Sequence, residues 1–248
     1  MGRSGVQRSV TSAELDLILA GVLAGEPGET LPQRLCVACV RSLPVTGAGL
    51  TLMSAGGAEG VVAATDGLAA TMEDLQFTLG EGPCMDAARL SRPVLLPDLS
   101  RTGPVRWAGF AAAAVEAGVG AIFAFPVQAG GIRLGVLDLY RDVPGTLDPD
   151  DLHRALVFAD AATAVLLHLQ RRTPAGADLH PDLAGPTSRS VVVHQATGMI
   201  AVQASVGLAE ALLMLRARAY SSNRAVQDVA RAVVTRALHF SPEGGHHE

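Results

Sequence analysis

The chain has 248 residues, 49% of them hydrophobic and 17% charged, which suits one large or two small packed domains and excludes a chain that stays disordered. The formal charge of −5 is unevenly spread: residues 1–186 carry 13 Arg against 20 acids, whereas residues 187–248 carry 6 Arg against 4 acids. Three cysteines do not make a disulfide framework, and the N-terminus fits neither a secretory signal nor a myristoylation pattern, so a cytoplasmic protein is expected.

Helical patterns run over 12–24 and 30–43. The second holds Cys36 and Cys39 on an apolar stripe with Leu35, Val40 and Leu43; no second cysteine pair follows at zinc-ligand spacing, so both read as buried small residues. Strands are expected at 48–53 and 61–65, with Gly56-Gly57 as a hairpin turn. A helical segment over 66–78 leads into the Gly-Pro-rich stretch Leu79-Gly80-Glu81-Gly82-Pro83-Cys84, which is no phosphate cradle because Pro83 removes a backbone donor. A strand at 94–97 and a helix containing Trp107 follow.

Residues 108–127 carry Glu116 as their only charge and meet the length rule for a membrane span, but Gly118, Gly120 and Pro126 divide them into a helix, a turn and a buried strand. Strands over 121–128 and 134–140 flank Gly130-Gly131, a second hairpin. The long helix over 149–172 is apolar on more than one face, with Leu152, Leu156, Ala159 and Leu166 on one side and Val157, Phe158 and Val165 on the other. It therefore needs two partners: its own sheet and a second subunit. The Pro- and Gly-rich run 173–186 reads as a connector. Three helices are expected beyond it, over 190–203, 208–220 and 223–238, with Ser222 and Asn223 capping the last, and the tail from Ser241 frays with its histidines solvated.

No nucleophile elbow, zinc-protease or Walker motif is present, so the chain is expected not to be an enzyme, with no catalytic residue, metal or cofactor. Cys84 is the single candidate nucleophile, but only Arg89 and Glu81 lie near it in sequence, and a structural or pocket-wall role is preferred. The last three helices differ: six Arg stand against two acids between Arg189 and Phe240, a surface that attracts polyanions. Gly198, in mid-helix, costs about 1 kcal/mol relative to Ala and so serves a close approach, by a packed helix or by a ligand. Gln195 and Thr197 on the same turn offer hydrogen-bonding groups of the kind that read base edges.

The string His194-Gln195-Ala196-Thr197-Gly198-Met199-Ile200, with Ala209-Glu210-Ala211, Leu215-Arg216-Ala217-Arg218-Ala219, Asn223-Arg224 and Asp228-Val229-Ala230, resembles the ANTAR RNA-binding domain, over residues 187–240. Leu75-Gln76, Gly80-Glu81-Gly82-Pro83-Cys84, Pro97-Asp98-Leu99, Trp107, Phe125-Pro126-Val127 and Leu134-Gly135-Val136-Leu137 resemble a GAF domain, over residues 10–172, leaving 173–186 as the linker. The order of the two is that of the GAF-ANTAR regulators of actinobacteria. The resemblance implies an α+β fold, a GAF domain with an antiparallel sheet flanked by helices, followed by a small all-α three-helix domain.

It further implies a homodimer that recognises tandem RNA hairpins in mRNA leaders, controlling transcription antitermination or translation, with a small-molecule effector in the GAF domain and no membrane partner. Carried over by position, Gln195, Thr197 and Gly198 sit at the RNA loop, Arg216, Arg218 and Arg224 lie near backbone or bases, and Ser222 and Asn223 present the third helix. Thr197 departs from the Lys or Arg common in the family, and the signature of classical cyclic-GMP binders is missing. Two rivals stay open: a GAF-type thiol redox sensor or enzyme using Cys84, and a helical domain that docks on protein or reads DNA.

Overall fold

The computed structural model describes residues 3–25, 28–54, 57–173, 179–183, 189–222 and 224–241. Two compact units divide the chain: residues 1–76 with 81–186, and residues 77–80 with 187–248.

The first unit opens with α1 (Arg3–Leu23) and α2 (Leu31–Ser42). Thr30 starts α2 by accepting from the Gln33 amide at 3.3 Å, and Pro32 sits in the first turn, where its missing N–H costs nothing. Strands β1 (Gly47–Ser54) and β2 (Gly57–Ala64) pair antiparallel; the turn expected at Gly56-Gly57 lies partly outside the described residues. Helices α3 (Gly67–Leu79) and α4 (Pro83–Leu90), strand β3 (Val94–Leu96), and helices α5 (Leu99–Arg106) and α6 (Ala108–Glu116) follow. The apolar stretch at 108–127 is thus a helix, a turn and the start of β4 (Ala121–Ala129), which meets β5 (Ile132–Arg141) through the two-residue Gly130-Gly131 turn. The sheet runs β2-β1-β5-β4-β3, antiparallel throughout.

The sheet has two buried faces, and strand alternation assigns them. Ala48 and Leu50 of β1, Phe123 and Phe125 of β4, and Leu137 and Leu139 of β5 face α2 and the long helix α7 (Pro149–Arg171), forming the main core. The intervening Thr51, Asp138 and Tyr140 face the other way, toward α3 and α4. Cys36 and Cys39 are fully buried in the main core, as the stripe on α2 requires. Asp148 caps α7 by accepting from the Asp151 amide at 2.8 Å.

Two expectations change here. Besides the sheet, α7 packs on α1 and α2, since Val22, Leu35 and Cys39 belong to the same core as Phe158, Val165 and Leu169, while Leu156, assigned to a buried face, is exposed. The segment read as a connector is in part docked, because Pro181–Leu183 forms a 3₁₀ turn whose Leu183 is buried in that core. Among the described residues α7 is also the one helix long and apolar enough to cross a membrane, and half of its most apolar window is buried in this core.

The second unit holds α8 (Arg189–Ala204), α9 (Leu208–Ser221) and α10 (Val226–Val234). Val193, Ala196 and Ile200 of α8, Ala211, Leu215 and Ala219 of α9, and Val226, Val229, Ala230 and Val233 of α10 are its buried stripes. The last helix is shorter than expected. It starts at an Ala225 cap with no side-chain bond and stops before Thr235, whose hydroxyl donates to the Arg231 carbonyl at 2.8 Å, with Arg236 at φ 60. Ser222 caps the end of α9 instead, donating to the Arg218 carbonyl at 2.6 Å, and Asn223 lies outside the described residues.

Candidate functional sites

The first site is a buried polar cluster on the α3/α4 face of the sheet. Glu73 of α3 accepts from the Thr51 hydroxyl at 2.7 Å and from the Tyr140 hydroxyl at 2.7 Å. Gly49 leaves the room this needs, since a Cβ there would overlap the Glu73 carboxylate. Gln76, one turn further along α3, donates to the Tyr140 oxygen at 3.3 Å and accepts from the Cys84 amide at 2.8 Å.

That last bond explains the Gly-Pro-Cys stretch. Gly82 stands at φ 133, a backbone few L side chains adopt, and a Cβ there would press on the Gln76 side chain. Gly82 has no side chain with which to cap α4, so Gln76 supplies the acceptor from α3. Glu81 does the same for α6, accepting from the Phe110 amide at 2.9 Å. Asp98 caps α5, accepting from the Arg101 amide at 3.3 Å. The motif residues of this unit therefore hold the helices over the sheet.

Cys84 and Asp138 complete the cluster. A Glu73 carboxylate oxygen, the Cys84 sulfur and an Asp138 oxygen all lie within 4.8 Å of one another, and all three residues are buried. Asp138 is fully buried, and its carboxyl meets Glu73 and Cys84. Burial, reinforced by the neighbouring Glu73, pushes the Asp138 carboxyl well above the ordinary carboxylate range. Burial also raises Glu73, opposed by the Thr51 and Tyr140 hydroxyls. The Cys84 thiol is pushed up by burial and then by Asp138 and Glu73, an environment that disfavours a free thiolate nucleophile. Cys84 is buried beside these two acids. Glu73 and Asp138 are the residues that sequence reasoning missed.

The second site is an open groove of about 800 Å³ on the second unit, lined by Gln195, Gly198, Met199, Val202, Gln203, Val234, Arg236 and His239. Gly198 is not a packing glycine within this unit, since a Cβ there would meet nothing within 4 Å. Gln195 is exposed beside it. Gln203 accepts from the Phe240 amide at 3.0 Å and so ties the segment after α10 to α8.

The other expected RNA contacts separate. Thr197 is buried and its hydroxyl donates to the Val193 carbonyl at 2.7 Å, so it faces its own helix and offers nothing to a base edge. Arg216 and Arg218 lie on α9, the first half-buried and the second exposed. Exposed Arg224 donates to the Asp228 carbonyl at 3.1 Å, and Arg231 pairs with the Asp228 carboxylate at 2.8 Å. None of Arg216, Arg218 or Arg224 is among the described residues that line the groove, and Ser222 is occupied as the α9 cap. Arg236 and His239 were missed because the helical stripe was read through to Leu238; the β-branched pair Val233-Val234 followed by Thr235 was the available signal for an earlier stop.

Among solved structures, the chain is similar to the GAF domain of an Acinetobacter phosphoenolpyruvate-protein phosphotransferase at 11% identity, covering 67% of this chain and 98% of that one, with a TM-score of 0.50. A domain of a two-component sensor histidine kinase protein from Sinorhizobium meliloti 1021 aligns at 18% identity, over 56% and 90% of the two chains, with a TM-score of 0.45. Free methionine-R-sulfoxide reductase from Neisseria meningitidis, in complex with its substrate, aligns at 13% identity, over 67% and 94%, with a TM-score of 0.47. No curated protein sequence matches the chain. Identities this low speak to fold alone. The sequence itself supplies the remaining link, since residues 29–166, from the start of α2 through most of α7, match the GAF domain family. With that match spanning more than half of its length, the chain belongs to the GAF domain family.

Proposed function

We propose that the chain is a cytoplasmic sensory regulator in which the GAF unit governs an RNA-binding three-helix unit of the ANTAR type, and that it is not an enzyme. The GAF family match supports the sensory half. The groove beside Gly198 carries the RNA half. A mid-helix glycine weakens its helix, and here no neighbour in the unit requires it, so its use lies in admitting a ligand's surface to the backbone. Gln195 supplies neutral donors and acceptors for base edges at the groove, Arg236 supplies a guanidinium for phosphate, and Arg218 adds positive charge on α9.

The ligand of this reading is a pair of RNA hairpins in an mRNA leader, held by a homodimer and acting on transcription antitermination or translation. A second copy has a surface to use: α1 and α7 of the GAF unit border an apolar groove of about 350 Å³ lined by Leu19, Leu23 and Leu167, and Leu17 and Leu23 are exposed. Two linked sites raise apparent affinity through effective concentration.

The test is binding of the full chain to tandem-hairpin RNA at two salt concentrations. The reading expects affinity that falls steeply with salt and that is lost when the hairpin loops are mutated. Tight binding indifferent to loop sequence, or a preference for duplex DNA, refutes it.

A further inference from the structure

Asp138 is wholly buried, and the polar groups its carboxyl meets are Glu73 and Cys84. A charged carboxylate is kept inside a protein when it is paired or coordinates a metal, and otherwise takes up a proton. The two nearest candidates for pairing are Glu73, another acid, and Cys84, and the donor atoms of all three lie within 4.8 Å of one another. The three residues come from α3, α4 and β5, so the chain folds around this point from separate elements.

The set has the composition of a transition-metal site. Magnesium and calcium take six or more oxygen ligands, whereas a sulfur beside two carboxylates suits zinc-class ions. In a tetrahedral zinc site with bonds of about 2.0–2.3 Å, ligand atoms sit roughly 3.3–3.8 Å apart, so small side-chain rotations close the present set around an ion. Glu73 is already oriented, because the Thr51 and Tyr140 hydroxyls each donate to it at 2.7 Å, the outer hydrogen bonding that fixes ligating carboxylates. The Gln76 bond to the Cys84 amide, at 2.8 Å, likewise fixes the backbone that carries the thiol.

We propose that Glu73, Cys84 and Asp138 form a binding site for a zinc-class divalent metal ion inside the GAF unit, with a fourth coordination position left for water or for a donor atom of a small ligand. The site stands on the first unit alone and is independent of the RNA reading.

Cobalt(II) titration of the full chain tests it, because cobalt bound to a thiolate has a charge-transfer absorption that carboxylate or imidazole sites lack. The expected result is one thiolate-bound cobalt per chain, displaced by zinc. The band should disappear in Cys84→Ser, persist in the Cys36→Ser/Cys39→Ser double variant, and require at least tenfold more cobalt in Asp138→Asn and in Glu73→Gln, with circular dichroism showing that each variant is folded. Absence of the band in the unaltered chain, its survival in Cys84→Ser, or unchanged affinity in both folded carboxamide variants overturns the site.

Discussion

Asp138 decides how the interior of the GAF unit answers to pH. Its folded value is raised well above the ordinary 3.8, so the folded chain holds a proton that the unfolded chain releases. In metal-free protein the stability from this group is fully present below about pH 4 and is lost as pH rises toward the raised value. Asp138→Asn removes that loss, so without metal its melting temperature should exceed that of the parent by several degrees at pH 8, with the gap closing toward pH 4. Thermal melts in chelator across that range check the sign. Gly82→Ala should cost about 2 kcal/mol or more, because it combines a strained backbone with pressure on Gln76; denaturant unfolding measures it. For Cys84 the sequence offers only Arg89 and Glu81 nearby, whereas the fold sets it beside Glu73 and Asp138. Glu73 was hidden by Asp74, which makes the pair look like a solvated face of α3. Asp138 carried a readable signal: strand alternation puts it on one face with Val136 and Tyr140, where a lone acid among apolar neighbours is out of place.

Helices and strands were legible wherever periodicity and turn chemistry agreed. The Gly130-Gly131 hairpin and the division of 108–127 into helix and strand follow from local rules, because glycine and proline punctuate both. Elements failed where tertiary contact decided. Nothing local marks Pro181–Leu183 as docked, yet Leu183 is buried beside α2 and α7. Leu183→Ala should therefore destabilise the GAF unit by about 2–4 kcal/mol, which a mere spacer residue would not do; chemical denaturation followed by tryptophan fluorescence of Trp107 reads it. In α8 the opposite sign is expected. Gly198→Ala meets open space and gains helix propensity of about 1 kcal/mol, while the added methyl in the groove should weaken RNA binding. Stability rising as hairpin affinity falls would separate a binding glycine from a structural one.

At the scale of the whole molecule, composition alone distinguishes an acidic first part from a short basic second part, and the folded chain divides into two compact units. Which groups of the basic unit face a common surface was not legible, since it depends on where α10 ends. Replacing Arg236 by Gln should reduce hairpin affinity and the steepness of its salt dependence by about one phosphate contact, measured by fluorescence anisotropy at several salt concentrations. For the dimer, Leu23→Arg places a charge in the apolar groove between α1 and α7 and should shift sedimentation toward the monomer without unfolding the chain.

The borrowed caps of α4 and α6 carry one more consequence. The amides of Cys84 and Phe110 are each satisfied by a side chain from elsewhere in the GAF unit, Gln76 and Glu81 respectively. Their exchange with deuterium therefore reports whether those side chains hold their posts, and nuclear magnetic resonance of the Cys84 proton follows how firmly the backbone beneath the carboxylate cluster is pinned.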